Sequence, residues 1–196
     1  MRVLKAVFLL GLGLILAGCV NPNAGTAPAE EIAASRYASP EPAFVSLITV
    51  VNERTDFGEH TAILINGSQQ VIYDPAGSFR YSKLPRRDDM LYGVTPQYAD
   101  YYNSYHARFG YYVKVQKVEV SRELADQMIA AAQTRGSVPK LFCSIAASDV
   151  LNDFEMFSAV RSTFFPDAIM KRFTNMPGVE TTIIREDDIG QNVRTN

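Results

Sequence analysis

Histidine and cysteine are both scarce in this chain, with two of each in 196 residues. A structural zinc site normally takes four ligands, and no paired His/Cys motif occurs, so no resident metal is expected. No glycine-rich phosphate loop and no internal repeat is present, and no cofactor is implied. Long apolar runs are also missing. The run from Ala6 to Ala17 is too short to make a stable spanning helix, and its cations, Arg2 and Lys5, lie on one side only. The formal net charge is −2, and it becomes −4 without the first 18 residues and their two cations. Nucleic acid requires a concentrated basic surface, so no nucleic-acid partner is expected.

What is present begins with the leader, MRVLKAVFLLGLGLILAGC. A cationic start, an apolar middle and small residues before a break have the form of a secretory signal peptide. Ala17 and Gly18 allow the chain to lie extended in a peptidase, and the Cys19 thiol supplies sulfur for a thioether. The tetrapeptide Leu16-Ala17-Gly18-Cys19 resembles the bacterial lipobox. That resemblance implies cleavage before Cys19 and diacylation of Cys19, with two acyl chains giving the stable anchoring that one does not. The alternatives are an uncleaved membrane anchor or an ordinary leader with a chance cysteine. Val20 rather than aspartate after the cysteine is similar to the pattern of outer-membrane lipoproteins, which places the domain in the cell envelope, facing the periplasm. The expected division is a leader over 1–18, a lipidated flexible tether over 19–42, one domain over 43–190 and a tail over 191–196. The tether is small, polar and proline-punctuated, with room for a short helix near Ala29 to Ala34.

The domain reads as α+β, an antiparallel sheet with packed helices. Phe44 to Val51 is β-branched and apolar. His60 opens HTAILI, apolar on both faces and therefore a central strand. Asn66-Gly67-Ser68 turns it into a hairpin with Gln70 to Tyr73, which Asp74-Pro75 ends. Residues 79–97 carry Pro85, Pro96 and the charged run Arg86 to Asp89, and read as a long surface excursion. Tyr98 to Phe109 is a short tyrosine-rich helix, and Tyr111 to Val120 a half-buried strand. Ser121 caps a helix that stops at Gly136. Further helices are expected over Phe142 to Phe157 and Pro166 to Phe173, with a last strand over Val179 to Ile184.

Three chemistry-bearing residues stand at element ends: His60, Asp74 and Cys143. The open end of the hairpin makes His60 and Asp74 neighbours, and a carboxylate there orients an imidazole and favours its charged form. Cys143 has no disulfide partner if Cys19 carries lipid. Helix-start amides favour its thiolate, although a free cysteine is also commonly a small buried hydrophobe. His106 sits among tyrosines, outside this pattern. The order His, polar residue, Cys, in His60-Thr61-Ala62-Ile63-Leu64-Ile65, Val71-Ile72-Tyr73-Asp74-Pro75 and Phe142-Cys143-Ser144-Ile145-Ala146, resembles the circularly permuted branch of the NlpC/P60 cysteine hydrolases, a papain-like group. The resemblance spans about Phe44 to Phe173. It implies that Cys143 is the nucleophile of an acyl-enzyme hydrolase, that His60 is its base, and that Asp74, or Tyr73 in the same slot, orients His60. It implies peptidoglycan peptide as the substrate, with lipid acyl groups also known in that branch. The competing expectation is a non-catalytic envelope binding or structural lipoprotein of the same fold.

Overall fold

The computed structural model describes residues 25–186. The leader, Cys19, Val20 and the tail over 191–196 lie outside the described residues. No helix among the described residues is long and apolar enough to cross a membrane.

The fold is α+β: an eight-stranded, wholly antiparallel sheet with helices packed on it. Its strands are β1 (Gly25–Thr26), β2 (Phe44–Asn52), β3 (Phe57–Asn66), β4 (Gln70–Tyr73), β5 (Arg86–Asp88), β6 (Met90–Leu91), β7 (Tyr111–Glu119) and β8 (Glu180–Ile184). Their order across the sheet is β1-β5-β6-β4-β3-β2-β7-β8. The helices are α1 (Ala29–Ser35), α2 (Pro96–His106), α3 (Arg122–Arg135), α4 (Cys143–Asn152) and α5 (Pro166–Thr174), with a 3-10 turn over Glu155–Phe157.

Alternation along the central strands divides the core in two. Leu47, Ile63, Ile65, Val71 and Tyr73 point to one face, where they meet Met128 and Ile129 of α3, Ala147 and Val150 of α4 and Phe173 of α5. Ile48, Val50, Ala62, Leu64 and Ile72 point to the other, covered by Phe79, Leu84, Val94 and α2 through Ala99 and Tyr102. Both faces of HTAILI are therefore buried, in keeping with its unbroken apolar run.

The structure departs from the sequence-based expectation in several places. Residues 79–97 are not a surface excursion: Phe79, Leu84, Met90, Leu91, Tyr92 and Val94 are all buried. Of the charged run, Arg86 and Asp89 fold inward, because they pair with each other and a paired charge is tolerable inside where a lone one is not, while Arg87 stays exposed. Residues 25–42, expected within the tether, dock on the body. Gly25 and Thr26 pair with Asp88 and Arg87, and Gln70 N–H donates to the Tyr37 carbonyl at 2.8 Å. A side chain at Gly25 would overlap the Arg86 backbone, so only glycine permits that approach. The third departure is β3, which begins at Phe57 rather than His60 and reaches it through a bulge opposite Val50 and Val51.

The expected helix over Phe142 to Phe157 closes at Asn152. Ser121 does cap α3, its hydroxyl accepting from Leu124 N–H at 3.1 Å. The last helix and strand lie where the sequence put them, within a residue or two.

Candidate functional site

β4 pairs with β3 only as far as Tyr73 opposite Ile63. Beyond that point the edge of β3 is open beside Thr61 and His60. Asp74, the first residue past β4, continues the alternation and faces the same side as Ile72, away from Tyr73. Its carboxylate is fully buried and reaches His60 Nε2 at 2.7 Å. Tyr73 packs in the opposite core, its hydroxyl without a hydrogen-bond partner. Of the two residues that competed for the slot beside His60, Asp74 makes the contact.

The start of α4 fills the gap past β4. Cys143 lies there beside the His60 side chain and the backbone amides of Thr61 and Ser144, close enough for each to act on the charge of its thiol. With Nε2 held by Asp74, Nδ1 is the ring nitrogen left for the sulfur. His60, Asp74 and Cys143, from three separate elements, thus meet at one place, with His60 bonded to Asp74 and next to Cys143. The sulfur is nearly buried, with Cys143 only 7% exposed, while the His60 side chain is 22% exposed.

Burial works against charge on both partners, and the contacts outweigh it. Burial lowers the His60 pKa, but hydrogen bonds to Asp74 and Cys143, and then their charges, carry it from 6.5 up to about 10. Burial raises the Cys143 thiol, but the hydrogen bond and charge of His60, followed by the two amides, bring it below its ordinary value. Asp74 is likewise penalised by burial, yet His60 and Arg86 hold it well below the usual carboxylate range. The arrangement favours thiolate beside imidazolium.

Two residues to which the sequence assigned no role beside Asp74, Arg86 of the charged run and Tyr102 of the tyrosine-rich helix, complete its surroundings. Arg86, buried, donates to Asp74 Oδ2 at 3.0 Å and to the Asp74 and Gly77 carbonyls. It also pairs with Asp89 Oδ1 at 3.0 Å. Asp89 Oδ2 in turn accepts from the amides of Ala76 and Val138, which ties the turn after β4 to the segment leading into α4. Tyr102 on α2 donates its hydroxyl to Asp74 Oδ1 at 2.9 Å. The available signal for Arg86 was a hydrophobic neighbourhood around a charged run. For Tyr102 it was the spacing to His106, one helical turn on.

His106 is not remote from the site. Its ring stacks on His60 with centroids 6.0 Å apart and planes 18° from parallel, and its Nδ1–H donates to the Tyr102 carbonyl at 2.8 Å. Burial pushes its pKa down to about 4, so it is neutral when His60 is charged. A cleft of about 250 Å³ opens beside these rings, lined by Glu59, His60, Ser78, Tyr105, His106 and Arg108 among others. Cys143 does not line it. Among the described residues no group of three or more His, Cys, Asp or Glu side chains is placed to hold a metal ion.

No protein-family model, curated protein or solved structure matches this chain.

Proposed function

We propose that the protein is a cell-envelope thiol hydrolase of the permuted NlpC/P60, papain-like kind, cleaving an amide or ester bond through an acyl-enzyme. The observation that carries this reading is the meeting of Cys143, at a helix start, with a His60 imidazole bonded to Asp74 at 2.7 Å, the thiol lying below and the imidazole above their ordinary pKa values. A preformed thiolate attacks the acyl carbon, forming a C–S bond. The His60 imidazolium gives its proton to the leaving nitrogen or oxygen as the scissile bond breaks. His60, now neutral, takes a proton from water, whose oxygen displaces the sulfur and releases the acid. The Cys143 amide is a donor for the oxyanion in both steps. Asp74 keeps the imidazole oriented, and Arg86 and Tyr102 keep Asp74 oriented.

In this reading Cys19 carries the lipid, and the domain faces the periplasm from the outer membrane. Peptidoglycan peptide is the substrate, because it is the amide-bearing polymer of that compartment, and a lipid acyl group is the second choice. The other reading is a binding lipoprotein without turnover. It is favoured by the cleft, which touches His60 but not Cys143, and by the near-burial of the sulfur. Iodoacetamide labelling at pH 7 separates them. Cys143 is expected to react fast, and His60→Ala to slow it by about tenfold or more while circular dichroism stays unchanged. Equal labelling rates in the two proteins would defeat the hydrolase reading, as would absence of turnover on peptidoglycan fragments and acyl esters alike.

A further inference from the structure

Eight large hydrophobic side chains are exposed among the described residues, and six belong to one end of the sheet: Phe57, Phe109, Leu141, Phe142, Phe164 and Phe165. It is the end that holds His60, Asp74 and Cys143. Phe57 opens β3, three residues before His60. Phe109 follows Arg108 of the cleft wall and precedes β7. Leu141 and Phe142 lead into Cys143, and the Phe142 ring packs against Phe164 with centroids 5.5 Å apart. Phe165 is the N-cap of α5, whose Asp167 backbone lies against Gly58 of β3. Leu141 is 86% exposed and has φ 74°, a left-handed conformation that is costly for a branched side chain. Strain and apolar exposure are combined at one residue, two positions before the sulfur. Exposed apolar side chains gathered at one end, here interspersed with the exposed Glu53, Arg54, Asp56 and Glu59, mark an interaction face with a polar border.

The amino-terminal chain identifies what that face meets. β1 is antiparallel to β5, so tracing back from Thr26 to Gly25 runs as β5 runs, from Arg87 toward Asp88 and Asp89. Asp89 accepts from Asp74 N–H at 2.8 Å, so the chain before Gly25 departs at the Asp74 end of the sheet. Cys19 lies six residues before Gly25. At no more than about 3.5 Å per residue, a lipid on Cys19 would lie within about 20 Å of Gly25.

We propose that this end of the molecule is a bilayer-docking face, with the six apolar side chains in the interfacial layer and the cleft mouth at the lipid surface. The proposal rests on the lipoprotein reading of Cys19. The tether is short enough to hold the rim against the membrane, and the rim is apolar enough to enter it. A lipid-anchored hydrolase oriented in this way acts on bonds presented near the headgroup plane.

The chain contains no tryptophan, which permits a direct test. Phe165→Trp and, separately, Leu141→Trp place a single indole on the rim. Glu119→Trp places one at the far end of β7, opposite Phe44. The full lipidated proteins are reconstituted in phosphatidylcholine vesicles with brominated acyl chains, and the mass of the amino-terminal peptide is read alongside. The expected result is a blue shift and at least about twofold quenching for both rim variants, with neither at Glu119→Trp. A lipid mass on Cys19 with equal quenching at all three positions, or none, overturns the docking face and leaves the lipoprotein reading standing. An unmodified Cys19 overturns both. A rim blue shift that grows with protein concentration and shows no lipid quenching means that a second copy covers the rim, and overturns bilayer docking.

Discussion

At the scale of single residues, Asp74 is the hub. One buried carboxylate accepts from His60, Tyr102 and Arg86, and its placement decides the charge on His60. His60 has a folded pKa of about 10 against 6.5, so its contribution to stability is complete below pH 6.5 and lost as pH rises through about 10. Cys143 has the opposite sign. Its folded pKa lies below 9.0, so its contribution is complete above pH 9.0 and lost as pH falls. Between pH 6.5 and 9.0 the two trends oppose. Stability is therefore expected to fall less steeply with pH in the wild type than in Cys143→Ser, where the His60 trend stands alone. Urea midpoints taken at closely spaced pH values check this, and a variant as flat as the wild type would show that the two groups do not titrate as a pair.

At the scale of elements, α2 and the segment before it decide whether the hub is intact. Phe79 is fully buried and meets Tyr102 and Tyr105 edge-on at 5.0 and 5.1 Å, and it contacts His106 as well. It is the wedge that seats α2 on the sheet. Phe79→Ala is expected to cost about 3–5 kcal/mol and to release Tyr102 from Asp74. Urea unfolding measures the first effect, and a slower iodoacetamide reaction at Cys143 measures the second. An unchanged labelling rate in a destabilised but folded variant would show that Tyr102 does not position Asp74. This segment was also the least legible part of the sequence. Its prolines and its Arg86 to Asp89 run have the composition of a surface loop, and composition carries no information about a charge pair that closes on itself inside.

At the scale of the whole molecule, the site exists only when distant elements are assembled. Its groups come from β3, the turn after β4, β5, α2 and α4. Rapid labelling of Cys143 is therefore expected to disappear at the same urea concentration at which far-ultraviolet ellipticity is lost, as for a domain that unfolds in one step. Loss of reactivity at a distinctly lower concentration would mean that the site opens as a separate unit.

Local chemistry made much of this protein readable from its residues. Unbroken apolar runs marked the central strands, Ser121 and Gly136 bounded α3, and the hairpin turn alone made His60 and Asp74 neighbours. These features depend on contacts within a few residues, which sequence order contains. The meeting of Cys143 with His60 and the choice of Asp74 over Tyr73 were left open by it, as were the inward Arg86 and the ring of His106 on His60. Each of those depends on where β4 stops and on which face α2 and α4 cover. Such contacts join residues separated by tens of positions, and burial energy summed over the folded core selects them.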